Sequence, residues 1–171
     1  SSKKLVISGD LFYAPSETII DGSGRDRHFK FDNYNAQSLD STFVIQHITL
    51  ENGLATGDYG GGSISISSGS PKLSRVIFKS NVDSLNSWRG GGAVSVSNNG
   101  SVIIDSCVFD GNRVIRYSNN STENDAFNNN AQGGGVGFYN TYSRSIVRSS
   151  TFMNNKVHGK NQAYGSAIYS S

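Results

Sequence analysis

Gly90-Gly91-Gly92-Ala93-Val94-Ser95-Val96, followed by Phe109-Asp110-Gly111-Asn112, is the stretch that decides the fold of this chain. Its glycine cluster, opening onto an apolar run, recurs at Gly60-Gly61-Gly62-Ser63-Ile64 and Gly133-Gly134-Gly135-Val136, with a weaker copy at Gly165-Ser166-Ala167-Ile168. Behind each of the first three comes a Phe with an Asn three positions on: Phe78 and Asn81, Phe109 and Asn112, Phe152 and Asn155. Each Phe lies 16, 17 or 17 residues beyond the last glycine of its cluster, and successive clusters are 30, 43 and 30 residues apart. Two signatures alternating in fixed order make an internal repeat, whose middle unit is lengthened by a polar segment over 116–132.

Within each unit apolar residues alternate with small polar ones, as in Ser63-Ile64-Ser65-Ile66 and Ala93-Val94-Ser95-Val96. A period of two is the pattern of a strand, and no window sustains the helical period. Short strands recurring about every 30 residues cannot each bury an apolar face alone and must stack on their neighbours. Stacked at about 4.8 Å, they predict an all-β fold, a right-handed parallel β-helix of about five to six coils. The motif residues then have mechanical roles. Gly61, Gly62, Gly91, Gly92, Gly134 and Gly135 permit tight corners; Phe78, Phe109 and Phe152 stack on one another; Asn81, Asn112 and Asn155 ladder or bond the turns. Less regular copies upstream, at Leu5-Val6-Ile7-Ser8, Thr18-Ile19-Ile20-Asp21-Gly22 and Phe43 to Gly53, extend the solenoid over 1–171 as a single segment of a longer chain.

Composition agrees. Glycine contributes 20 of 171 residues, above the usual share of roughly 7%, and proline only two. A formal net charge of +2 gives no cationic footprint for nucleic acid. No run approaches the roughly 20 apolar residues of a membrane-spanning helix, and the first residues lack the pattern of a signal peptide. The lone Cys107 lies in the apolar run 102–109 and reads as a small buried hydrophobe.

Gly91-Gly92-Ala93-Val94 paired with Phe109-Asp110-Gly111-Asn112 resembles the two short repeat motifs of the polymorphic outer membrane proteins, a family of autotransported surface adhesins. Ile20-Asp21-Gly22-Ser23-Gly24-Arg25 and Ile48-Thr49-Leu50-Glu51-Asn52-Gly53 are similar to the opening of many right-handed β-helix repeat proteins. Gly133-Gly134-Gly135-Val136 departs from the motif in lacking its Ala. The resemblance implies a β-helical fold displayed outside the cell and an adhesive role.

Chemistry is sparse. A polysaccharide lyase or hydrolase needs carboxylates gathered with a base or cation. Asp105 and Asp110 lie five apart, which in a strand puts them on opposite faces unless a turn intervenes. His28, His47 and His158 have no metal-ligand spacing. His158-Gly159-Lys160 is similar to a fragment of a pectin-hydrolase motif without its acidic residues. No catalytic, metal or cofactor residues are therefore assigned.

Tyr59, Trp88 and Tyr164 each precede a glycine cluster and form a candidate aromatic row for stacking on sugar rings. Asn99, Asn119 and Asn120 satisfy the N-glycosylation sequon. The expected function is a non-catalytic extracellular or cell-surface adhesive module, a secreted glycoprotein contacting a glycan, a surface protein or neighbouring subunits. The alternatives are a carbohydrate-active β-helix and a self-assembling filament or wall subunit.

Overall fold

Alternation sets each strand's two faces, and corner residues cut the chain into short pieces. The computed structural model describes residues 5–32, 43–56, 60–84, 90–116, 130–139, 141, 144–159 and 162–171. The chain makes five successive passes. The first holds β1 (Leu5–Ser8), a 3-10 turn (Pro15–Glu17), β2 (Ile19–Asp21) and β3 (Phe29–Phe31). The second holds β4 (Phe43–Glu51), β5 (Leu54–Ala55) and β6 (Ile64–Gly69), and the third β7 (Lys72–Lys79), β8 (Val82–Asp83) and β9 (Val94–Gly100). The fourth holds β10 (Ile103–Asp105), β11 (Val108–Asp110), β12 (Arg113–Arg116), β13 (Asn130–Gln132) and β14 (Val136–Tyr139). The fifth repeats that order as β15 (Ile146–Arg148), β16 (Thr151–Met153), β17 (Lys156–Gly159), β18 (Gln162–Tyr164) and β19 (Ile168–Ser170).

Each strand pairs in parallel with its counterpart one pass away. One sheet runs β1-β4-β7-β10-β15, with β2, β11 and β16 alongside; a second runs β5-β8-β12-β17; a third runs β3-β6-β9-β14-β19. A separate pair joins β13 to β18. The described residues are thus all-β with parallel sheets and contain no α-helix. Inward side chains of the first and third sheets form one core, including Ile45, Leu73 and Ile104 from one side and Ile64, Val94 and Val136 from the other.

The core is built in columns. Phe78, Phe109 and Phe152 stack with centroids 4.7 and 4.6 Å apart and planes within 12°. Three residues on, the Asn112 carboxamide oxygen accepts from the backbone N–H of Asn81 at 3.0 Å and from its side-chain amide at 2.9 Å. Asn155 receives the same two bonds from Asn112, each at 3.0 Å. Every amide in this row also donates to a carbonyl of the preceding pass: Asn81 to Leu50, Asn112 to Phe78 and Asn155 to Phe109. A polar column is therefore satisfied inside the fold.

The glycine clusters align one residue differently from their sequence spacing. Val94 pairs with Ile64 on one side and Val136 on the other, so Gly134, not Gly135, stands beside Gly92. Gly135 takes the place of Ala93, which explains the missing Ala of the third cluster. Gly61, Gly91, Gly133 and Gly165 all adopt positive φ, from 61° to 138°. At Gly92 a Cβ would meet the carbonyl oxygen of Gly134 at 2.0 Å, so the close approach of passes also demands glycine.

Two other corners use the left-handed region without requiring glycine. His47, Arg75, Ser106 and Ser149 occupy equivalent places at φ 51–56°, and Asn52, Ser80, Gly111 and Asn154 form a second row at φ 55–66°. Each non-glycine residue there costs about 1 kcal/mol, offset by the parallel pairing of the strands that flank it.

Candidate functional site

Besides the Asn column, the interior holds an ion pair and a Ser–His contact. Arg116, at the end of β12, reaches back to Asp83 of the preceding pass through parallel bonds, Nη1 to Oδ1 and Nη2 to Oδ2, both 3.1 Å. Both side chains are buried, and the residues in register with Asp83 are Ala55 and Val114. Close by, Arg27 donates to the Gly60 carbonyl at 3.2 Å, its pKa lowered by burial against the opposing pull of Asp83. The Tyr139 hydroxyl donates to the Gln132 carbonyl at 3.3 Å, and burial pushes its pKa up. The strong desolvation of this corner favours the register that brings Asp83 and Arg116 together, with Arg27 adding its charge against the same carboxylate.

His28 joins the first pass to the second. Its Nε2 lies 3.0 Å from the Ile20 carbonyl and its Nδ1 3.0 Å from Ser63 Oγ. A carbonyl only accepts, so Nε2 carries the proton and Nδ1 accepts from the hydroxyl. Burial lowers the His28 pKa, opposed by the backbone carbonyls of Ile20 and Glu51 and by Asp21. The Ser–His contact is one a nucleophile requires, but Ser63 is fully buried, which removes it from any substrate.

On the outer face of the first sheet the charges pair across passes. Asp105 meets Arg148 at 2.7 Å, a contact that pulls the Asp105 pKa down, and Lys79 meets Glu51 at 3.4 Å. Asp110 accepts from Asn154 at 2.8 Å. Asp105 and Asp110 both face outward, because Ser106 turns the chain between them, yet each is tied to a residue of the fifth pass. Arg75 donates to His47 Nε2 at 2.8 Å, and His47 Nδ1 has no hydrogen-bond partner among the described residues. Cys107 is buried, with its thiol pKa raised to about 11 by desolvation. It is no nucleophile at neutral pH.

Among the described residues no group of three His, Cys, Asp or Glu is placed to hold a metal ion. No helix among them is long and apolar enough to cross a membrane. Tyr59, Trp88, Asn119 and Asn120 lie outside the described residues, as does 117–129 of the polar segment. The flanks of that segment are strands, Arg116 closing β12 and Asn130–Gln132 forming β13. Tyr164 is 40% exposed. Its in-register neighbour is Gln132, so the aromatic row through Tyr164 runs to Tyr169 at 6.2 Å and from there to Tyr139 at 5.6 Å. Asn99 is exposed on β9 beside a bulge, while Ser101 of its sequon is buried with its hydroxyl on Ser70.

No protein-family model, no curated protein and no solved structure matches this chain.

Sequence reasoning missed the Asp83–Arg116 pair and the His28–Ser63 bond. Their partners lie 33 and 35 residues apart and belong to no motif. Only a register between passes brings them together.

Proposed function

We propose that the chain is a stretch of a right-handed parallel β-helix serving as an extracellular or cell-surface adhesive module without catalytic activity. The observation that carries this reading is the use made of the two repeated signatures. The Phe rings stack and the Asn side chains ladder across three passes, so both motifs are absorbed by the scaffold. Three of the described carboxylates are engaged by the scaffold: Asp83 is buried in an ion pair, Asp105 is bound to Arg148, and Asp110 to Asn154. Binding then belongs to the outer surface, to aromatic side chains such as Tyr164 and to the 116–132 segment, where a solenoid accommodates additions. In a eukaryotic host the sequons at Asn99, Asn119 and Asn120 are the candidates for glycosylation, and Asn99 is exposed on β9.

The test is retention of the chain on a panel of neutral and acidic polysaccharides and host-type glycans, with the eluates assayed for shortened products. Retention without shortening supports the adhesive module. Shortened products would establish a carbohydrate-active enzyme, and no retention on any member would remove the glycan as partner.

A further inference from the structure

The first pass differs from the others at one corner. Ser8 pairs with Gln46 and Ile19 with Thr49, so the first pass spends ten residues where β4 spends two, His47 and Ile48. The eight additional residues, 10–17, leave the outer face as an excursion. At its tip stand Leu11, Phe12 and Tyr13, exposed to 59%, 98% and 58%, followed by an exposed Ala14. Runs of consecutive exposed apolar side chains carry no benefit to the fold and mark a surface that something else covers.

The excursion is held in shape. Asp10 Oδ1 accepts from the Phe12 backbone N–H at 2.9 Å, and the Glu17 N–H bonds the Ala14 carbonyl at 2.9 Å. The Thr49 hydroxyl of the second pass donates to the Pro15 carbonyl at 2.9 Å, fastening the 3-10 turn to the sheet. A Cβ at Gly9 would lie 1.9 Å from the His47 carbonyl oxygen, so the stem leaves against the neighbouring strand with room only for glycine. Phe12 therefore projects from a fastened base, and little ordering entropy remains to be lost when it is covered.

The excursion's own charges select the partner. Residues 10–17 carry no Lys or Arg and two exposed carboxylates, Asp10 and Glu17, while the exposed Arg75 in the same corner row is engaged with His47 Nε2. An anionic leaflet attracts basic segments and repels this one. A phosphatidylcholine surface presents quaternary ammonium groups outermost, which aromatic faces and carboxylates attract. Beneath them lies the headgroup–acyl boundary, where Phe, Tyr and Leu side chains are buried favourably.

We propose that the 10–17 excursion is a peripheral membrane anchor, inserting Leu11, Phe12 and Tyr13 into the interface of a zwitterionic, choline-bearing bilayer. This is independent of the glycan reading and requires no membrane-spanning element.

Cosedimentation of the full chain with phosphatidylcholine vesicles, and with vesicles enriched in phosphatidylserine, tests it. The chain binds the first and binds the second less. Phe12→Ala lowers partitioning by about tenfold or more, as expected from withdrawing one phenyl ring from an apolar environment. Phe12→Trp retains binding and shifts its emission to the blue on adding vesicles, against a wild-type baseline from the single Trp88. Because Phe12 is almost wholly exposed, both variants keep the wild-type far-ultraviolet dichroism. A wild-type chain that stays in the supernatant with phosphatidylcholine overturns the proposal, as a tip made for a protein pocket would behave. Equal binding by Phe12→Ala, or stronger binding to phosphatidylserine-rich vesicles, overturns it too.

Discussion

Asn112 has partners on both sides: its carboxamide oxygen serves Asn81 while its amide serves Phe78 and Asn155. Truncation to Ala leaves the buried Asn81 N–H without an acceptor and the Phe78 carbonyl without that donor, at about 1–3 kcal/mol for each group. Asn112→Ala is expected to lower unfolding free energy by about 3 kcal/mol in urea denaturation; a loss below about 1 kcal/mol would mean the ladder contributes little. His28 gives a pH dependence of known sign. Its folded pKa lies below the ordinary value of about 6.5, so the unfolded chain binds more protons between the two. Stability is full above that ordinary value and declines as pH falls through it. The Asp21 carboxylate beside it, its pKa lowered chiefly by the Ser23 backbone N–H, titrates well below this window. Urea midpoints measured from pH 7.5 down to pH 5 should fall for wild type more steeply than for His28→Gln, and parallel curves would refute the assignment. At this scale the Phe and Asn roles were legible because their three-residue spacing repeats. The left-handed conformations of His47, Arg75, Ser106 and Ser149 were not, since no residue type is shared by that row.

Between neighbouring strands, β12 and β8 are tied by Arg116 and Asp83, a charged pair where the adjoining passes carry Ala55 and Val114. Such a pair contributes little net stability against an apolar replacement, but removing one partner leaves the other's buried charge less compensated, at up to about 3–5 kcal/mol. Asp83→Ala is expected to be destabilising on that scale, and the double variant Asp83→Ala with Arg116→Met to recover part of the loss, Arg27 keeping the remainder, as read in a double-mutant cycle of denaturation energies. Additive losses would show that the two charges act separately. Strand type and parallel stacking could be read from the alternation of apolar residues, and the glycine corners from their clusters. The register of the third cluster could not, because Gly135 imitates a corner glycine while occupying the position of Ala93. The excursion at 10–17 was also hidden, since only the pairing of Ser8 with Gln46 and Ile19 with Thr49 reveals its extra length.

Over the whole molecule, one core runs through the passes, but each pass touches chiefly the pass before and the pass after, so stability is approximately a sum of neighbour terms. The inward residues of the middle passes, Ile45, Leu73 and Ile104, are fully buried, and the strands that carry them are paired on both sides. Among the described residues of this chain, β1 and β15 pair on one side, and Leu5 and Ile146 are exposed on them. Opening the first or fifth pass gives up one interface, whereas opening β7 gives up two. Amide hydrogen exchange of this chain should therefore be slowest in β4, β7, β10 and β11, and fastest in β1, β2 and β15 to β19. The Asn ladder sharpens the gradient, because Asn81 and Asn112 donate in both directions while Asn155 closes the row. A protection map by mass spectrometry that is flat along the chain would make the five passes a single cooperative unit, and one that peaks in β15 to β19 would contradict the stacking order itself.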